Sequence, residues 1–482
     1  GRAVGDGADW ETRVEVLRKA EGRIPVEVWV IGESDTAVVR TDGQAVREWA
    51  TIITRSRPKE VLLDPRLRTR DWNMLNNVWR RGWLGATRKP KAETYLDTWF
   101  TERAARDRLT RGLSPTAWYN DAGGLTLGLH SRENYFGRFE QNVTQLSWST
   151  GWDTDQKVKD TDFLLRVRNP VFLRVPGMSQ QLEAYNVEGR FGASLALDWS
   201  RRDHLGFGPR RNWGVQLTWL QPDDFRYLDR GYYDDAGTVE LELHTAVQDR
   251  RGPWALAAEL RGGGGLAYNR RGLPTATGRT DLDQFYGRAS LTTTAARPLG
   301  AHAGFRLRFF TAISTSGERT VKQRQVYLAG ADPLEQFGSP FLRSNGALFV
   351  RPDVYYQAPG GGMLRGFDPR LSAEGVVALN VEVERTLMSR AKAKLFRRVR
   401  LAAFGDVGHT IGDSFDPTSS SQLRWLADAG VGLRADHQIG ATAFTTRVDL
   451  PLYVSRPAVA QHTGPGNDKA GFRWTVSFQP SW

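Results

Sequence analysis

The chain has 482 residues and a formal net charge of +12, with 40% hydrophobic and 11% aromatic residues. That composition excludes intrinsic disorder, and the absence of cysteine excludes disulfides and thiolate metal sites. The basic residues are scattered among acids rather than gathered into a tail or helix face, which argues against a nucleic-acid partner.

The first residues, GRAVGDGADW, carry neither methionine nor a signal peptide and read as a mature chain or a fragment. Short alternating runs follow. TRVEVLR and IPVEVWVIG are strands, with Val14, Val16, Val26, Val28 and Val30 alternating. DGQAVREWATII is a strand or a short helix. KEVLLDP is a strand stopped by Asp64-Pro65. Residues 1–78 are therefore expected to form a small β domain. The charged stretch 79–114 is expected to be a connector with one short amphipathic helix ahead of Pro115.

From about Gly123 to the end, segments of roughly 8 to 14 residues alternate apolar and polar side chains with period two. In TVELELHTAV, Val239, Leu241 and Leu243 oppose Glu240, Glu242 and His244. In ALNVEVERTL, Leu379, Val381 and Val383 oppose Asn380, Glu382 and Glu384. No apolar run reaches the ~18 residues of a transmembrane helix. A transmembrane β-barrel strand needs only about ten alternating residues. The polar face carries arginine and glutamate strand after strand, and aromatics such as Trp148, Trp152, Tyr453 and Trp482 fall near segment ends. One rule covers the pattern: an all-β transmembrane antiparallel barrel over 115–482, apolar outside and charged within. The segments number about fifteen, which rounds to sixteen because single-chain bacterial barrels have even strand numbers. A soluble, β-rich binding protein is the alternative that the same alternation permits.

One stretch is more specific. APGGGMLRGFDPRLSAEG sets a single arginine in a glycine-rich, nearly apolar loop just before an alternating strand. Inside a barrel that arginine must be paired, because an isolated buried charge is costly. Asp406, Glu382 and Glu384 lie on the polar sides of the following strands. Arg365 is expected to pair with Asp406, with Glu382 or Glu384 as second acceptor, pinning a lumen loop over 331–373.

Leu364, Arg365, Gly366 and Phe367 resemble the (V/I/L)-R-G-(F/Y) motif of the BamA-type and two-partner-secretion barrel superfamily, also called bacterial surface antigen. FGDVG, with Phe404, Asp406 and Gly408, resembles that family's F-x-D-x-G element. DAGVGLRAD and TTRVDLPLYV resemble its next two strands, and the chain ends on an aromatic strand with Phe478 and Trp482. The resemblance implies a bacterial outer-membrane location. Its implied partners are outer-membrane lipids, the barrel assembly machinery and a peptide or protein cargo. The implied role is translocation or insertion.

The N-terminal piece is similar instead to the β-sandwich behind the catalytic domain of aminopeptidase-N-type metallopeptidases, on Trp10, PVEV at 25–28, LDP at 63–65 and the run from Asp71 to Asn77. That likeness implies a periplasmic domain and an upstream zinc peptidase for which the barrel is anchor or conduit. The chain itself has no HExxH, and none of its seven histidines lies within five residues of another. No catalytic residue, metal ligand or cofactor is assigned.

Overall fold

Side chains on the strand Gly237–Arg251 alternate between two environments: Glu240 is 4% exposed, whereas Leu241 and Leu243 are 51% and 61% exposed. The same inversion recurs along the computed structural model, in which charged side chains are buried and apolar ones face out. The structure describes residues 1–482 except 1, 5–8, 19–21, 70, 72–73, 81–91, 99–100, 102, 104, 106–107, 136–138, 170–176, 202–207, 270–282, 317–318, 351–355, 394, 416–424, 441, 462–467 and 479–482.

The chain divides into two compact units. The first holds a three-stranded sheet of Arg2–Val4, Asp9–Leu17 and Arg47–Thr54, and a four-stranded sheet of Thr36–Arg40, Glu27–Ile31, Glu60–Leu63 and Val78–Arg80. Val28, Val30 and Val61 of one sheet meet Ala50 and Ile52 of the other in a shared core. Within DGQAVREWATII the chain is strand from Arg47, as the β-branched and aromatic content there favours.

The second unit is a closed antiparallel barrel. Its strands number eighteen among the described residues, the two-residue Val326–Tyr327 segment included, because Ala92–Leu96 stands between Thr475–Ser477 and Leu109–Asn120 where the barrel closes; this exceeds the expected sixteen. The expected connector differs. Its described residues include the strand Ala92–Leu96 and the start of Leu109–Asn120, and no helix. Pro115 does not stop the strand; its side chain is exposed while Ser114 and Trp118 are buried.

Between the strands Ala303–Ser316 and Ser372–Ser389 the chain folds into the lumen instead of making a turn. Val326 and Tyr327 pair with Ala373 and Ser372, which ties the loop to the strand that follows it. Leu328, Leu364, Phe367 and Leu371 of this loop pack against Val376, Ala378, Leu426 and Val454 of the wall. An apolar core therefore lies inside the barrel, on one side of an otherwise charged interior.

Candidate functional site: a lumen loop pegged at two walls

Arg365 lies on the returning limb of the loop and is wholly buried. Its Nε and Nη2 donate to the two carboxylate oxygens of Asp406 at 2.8 and 2.9 Å, and Nη1 donates to Glu382 Oε2 at 2.6 Å. The guanidinium lies 3.9 Å from the ring centroid of Phe404. This is the fork geometry that arginine offers a carboxylate and lysine does not. Burial alone would lower the pKa of Arg365. Asp406, Asp449 and Glu382 outweigh it and hold the guanidinium charged.

Each neighbour has a local reason. Asp406 and Glu382 reach the lumen through strand alternation on Arg398–Phe415 and Ser372–Ser389. Asn380 pairs with Asp406 in register, donates to its Oδ1 at 3.1 Å, and donates to the carbonyls of Gly362 and Met363 at 3.2 Å. Gly366 is needed for clearance: a Cβ there would sit 2.6 Å from Val454 Cγ1 and 3.0 Å from Asp428 Cβ. A Cβ on Gly408 would meet Leu364 Cδ1 at 2.9 Å, so that glycine makes room for the residue before the arginine. Phe367 is buried in the apolar core of the lumen.

Glu384 does not reach Arg365. Its carboxylate pairs with Arg400 at 2.7 Å and Arg306 at 3.6 Å. It shares a strand face with Glu382 but stands two residues further along, beyond the reach of the loop. Phe478 stacks on Tyr356 of the loop at 5.8 Å, and Trp482 lies outside the described residues.

Sequence reasoning missed three members of the cluster. Arg434 donates to Glu382 at 2.7 Å and pairs with Asp449 at 2.6 Å. Arg447 lies 3.5 Å from Glu382 and 3.4 Å from Asp449. Their polar-side parity in GLRAD and TTRVDL was the available signal. Three guanidiniums thus share Glu382, Asp406 and Asp449. Asp428 is buried directly opposite Asp406 in the register.

A second peg had no sequence signal. Arg343, on the outgoing limb, donates through Nε to Glu188 Oε2 at 2.9 Å, and Ser344 Oγ donates to the same oxygen. Glu188 Oε1 accepts from Trp118 Nε1 at 2.6 Å and Asn120 Nδ2 at 3.0 Å. Arg343 also lies over the Trp118 ring at 4.9 Å. Glu188 occupies a two-residue hairpin tip with φ 45°, in the left-handed region, and is fully buried. Burial would raise its pKa. Arg343 and Ser344 outweigh that and hold the carboxylate below its usual range.

Ahead of Arg343, on the outgoing limb, the loop makes one short helix, Pro333–Gln336, with a capping box. Asp332 Oδ1 accepts from Glu335 N at 2.8 Å, and Asp332 N donates to Glu335 Oε2 at 3.1 Å. Glu335 borders a lumen cavity of about 380 Å³, also lined by Arg261, Arg288, Arg308 and Arg324. Its side chain is exposed to the cavity, yet desolvation by the enclosing wall, and then the charge of Asp332, pushes its pKa from 4.5 up to about 7. A carboxyl raised on folding binds a proton more tightly when the helix is seated. Seating is therefore strongest below about pH 4.5 and weakens as pH rises through about 7. Limited proteolysis of the loop is expected to be faster at about pH 8 than at about pH 6, and Glu335→Gln is expected to flatten that difference.

These features define a closed β-barrel whose interior is occupied by its own loop, held by buried arginines. The chain is similar to BamA from Haemophilus ducreyi lacking POTRA domains 1-3, with 15% identity over 78% of this chain and 71% of that one and a TM-score of 0.40. It is similar to CdiB from Escherichia coli, with 14% identity over 79% and 63% of the two chains and a TM-score of 0.45. For CdiB from Acinetobacter baumannii the values are 13%, 77%, 59% and 0.40. The chain thus spans less than two thirds of either CdiB chain. No family model and no curated protein matches. The metallopeptidase likeness of the N-terminal piece is not supported by these comparisons.

Proposed function

We propose that this chain is the membrane-embedded barrel of a bacterial outer-membrane protein that translocates or inserts polypeptide, with the lumen loop as its plug. One observation carries the membrane reading: the inverted faces of the wall. Leu129, Leu146, Leu243, Leu260 and Leu387 are more than half exposed, while Glu240, Arg308, Glu382 and Arg434 are buried. A protein surrounded by water would bury the first set and expose the second. A closed sheet leaves no backbone group unpaired in hydrocarbon, which makes it one of the two architectures able to span a bilayer.

The plug reading rests on the pegs. A loop held only by its apolar side would need no buried arginine. Five wall carboxylate and guanidinium groups converge on Arg365, and such groups are retained where a specific arrangement has to be held. A polypeptide cargo, with outer-membrane lipids and the barrel assembly machinery as partners, follows from the resemblance of MLRGFDP and FGDVG to the surface-antigen family. Residues 1–78 are then a periplasmic domain ahead of the barrel.

Flotation with liposomes after refolding tests the membrane reading, and recovery of the protein in the aqueous fraction would overturn it. Planar-bilayer recording tests the plug: the intact chain should conduct little, and deletion of residues 331–373 should open a large, steady pore.

A further inference from the structure

The outward face is not the same at both ends of the barrel. Short turns at 252–253 and 300–302 close one end. On the wall beside them, outward-facing positions carry Arg201, Arg211, Arg251, Arg297 and Arg385, all exposed. Arg201 and Arg211 are register partners, and so are Trp199 and Trp213 one pair further in. Arg297 lies 5.5 Å over the Trp254 ring, and Trp254 meets Phe305 edge-on at 6.4 Å. At the opposite end the same face carries Phe191, Trp219, Phe285, Trp425 and Tyr453. Aromatics thus mark both ends, but this arginine series accompanies them at the short-turn end.

Beneath Arg211 and Arg251 the wall is indented. A groove of about 410 Å³ is lined by Val247, Leu256, Ala295, Leu307 and Phe309, with the two arginines among its lining residues. Ala295 supplies depth by lacking the side chain that its larger neighbours have. Arg251 pairs with Asp249 at 3.0 Å, while Arg211 makes no ion pair among the described residues. The groove therefore joins an apolar floor to a net positive mouth, on a wall that otherwise presents leucine.

We propose that this groove holds one acyl chain of an anionic glycerophospholipid, with its phosphate on Arg211 and Arg251. The inference rests on the membrane reading above. Guanidinium forks match phosphate oxygens in pairs. Arginine at a membrane edge extends its charge toward the headgroups while its stem covers apolar surface. The surplus charge selects an anionic headgroup over a zwitterionic one, which brings its own cation to the mouth. The acyl chain fixes the lipid in one place, where the arginine series alone would give only a diffuse layer.

Native mass spectrometry of the detergent-purified full chain, titrated with dioleoyl phosphatidylglycerol and separately with dioleoyl phosphatidylcholine, tests this. One phosphatidylglycerol should be retained about tenfold more tightly than phosphatidylcholine. Arg211→Gln with Arg251→Gln should erase that preference. Ala295→Trp, which fills the floor and keeps both charges, should weaken retention of both lipids. Equal binding of the two lipids by the wild type, or a preference that survives the double glutamine variant, would overturn the proposal. Flotation with phosphatidylcholine liposomes separates this outcome from the membrane reading: a wild type that floats but shows no preference counts against the groove alone, and a wild type that does not float counts against the membrane reading.

Discussion

Arg365→Ala is expected to release the returning limb of the lumen loop and turn a nearly closed barrel into a conducting one. The variant removes both side-chain donors to Asp406 and one donor to Glu382. The two carboxylates are not affected equally. Glu382 keeps Arg434 at 2.7 Å and Arg447 at 3.5 Å, whereas Asp406 keeps only the Asn380 amide at 3.1 Å and the long backbone N–H contact of residue 365 at 3.5 Å, and still faces buried Asp428. The cost of the variant therefore falls on Asp406. Breaking a buried pair from one side costs about 3–5 kcal/mol, enough to move the loop from seated to largely free. Arg365→Lys keeps the charge but loses the fork and is expected to fall between wild type and Arg365→Ala. Asp406→Asn should cost less than Arg365→Ala, because Arg365 retains Glu382 and one of two adjacent acids is neutralised. Single-channel recording and protease sensitivity of the loop give the order. A closed Arg365→Ala barrel with a protected loop would remove the peg role from Arg365.

Arg365 and its partners were legible because two independent patterns meet there. A lone arginine in an apolar loop demands a counter-charge, and period-two alternation restricts the candidates to lumen-facing carboxylates. Alternation gives the face but not the height, which is why Glu384 looked as good as Glu382. The loop return is level with Glu382, and that level depends on how far the loop enters, which no local pattern encodes. Arg434, Arg447 and Asp449 had the right parity, yet a charged lumen supplies many residues of that parity. The N-terminal strands were legible for the ordinary reason that their valines alternate. The connector differs from the expectation in that Pro115, the expected boundary, lies inside the strand Leu109–Asn120. Glu188 was invisible. In NVEGR it reads as a solvated turn residue, and only the fold shows the hairpin tip turned inward beneath Arg343.

The second peg yields the sharper experiment, because two pegs on one loop act in parallel. Arg343 anchors the outgoing limb to Glu188, Trp118 and Asn120, while Arg365 anchors the returning limb to strands at the other end of the sequence. Full exit of the loop needs both to break. Glu188→Ala strands a guanidinium that is 3% exposed and leaves the Trp118 and Asn120 donors without their acceptor, a loss again of about 3–5 kcal/mol. It should also relieve the left-handed strain at position 188 no better than alanine can, so no compensation is expected from the backbone. With Arg365 intact, Glu188→Ala should give brief, partial openings and proteolysis confined to the outgoing limb. Combined with Arg365→Ala it should give long full openings, more frequent than the product of the two single effects, because each single variant still holds the loop by its other end. Independent behaviour, with the double variant opening no more than that product, would mean that the two limbs move as separate bodies. The plug would then be two lids, with the helix carrying Glu335 on the outgoing one.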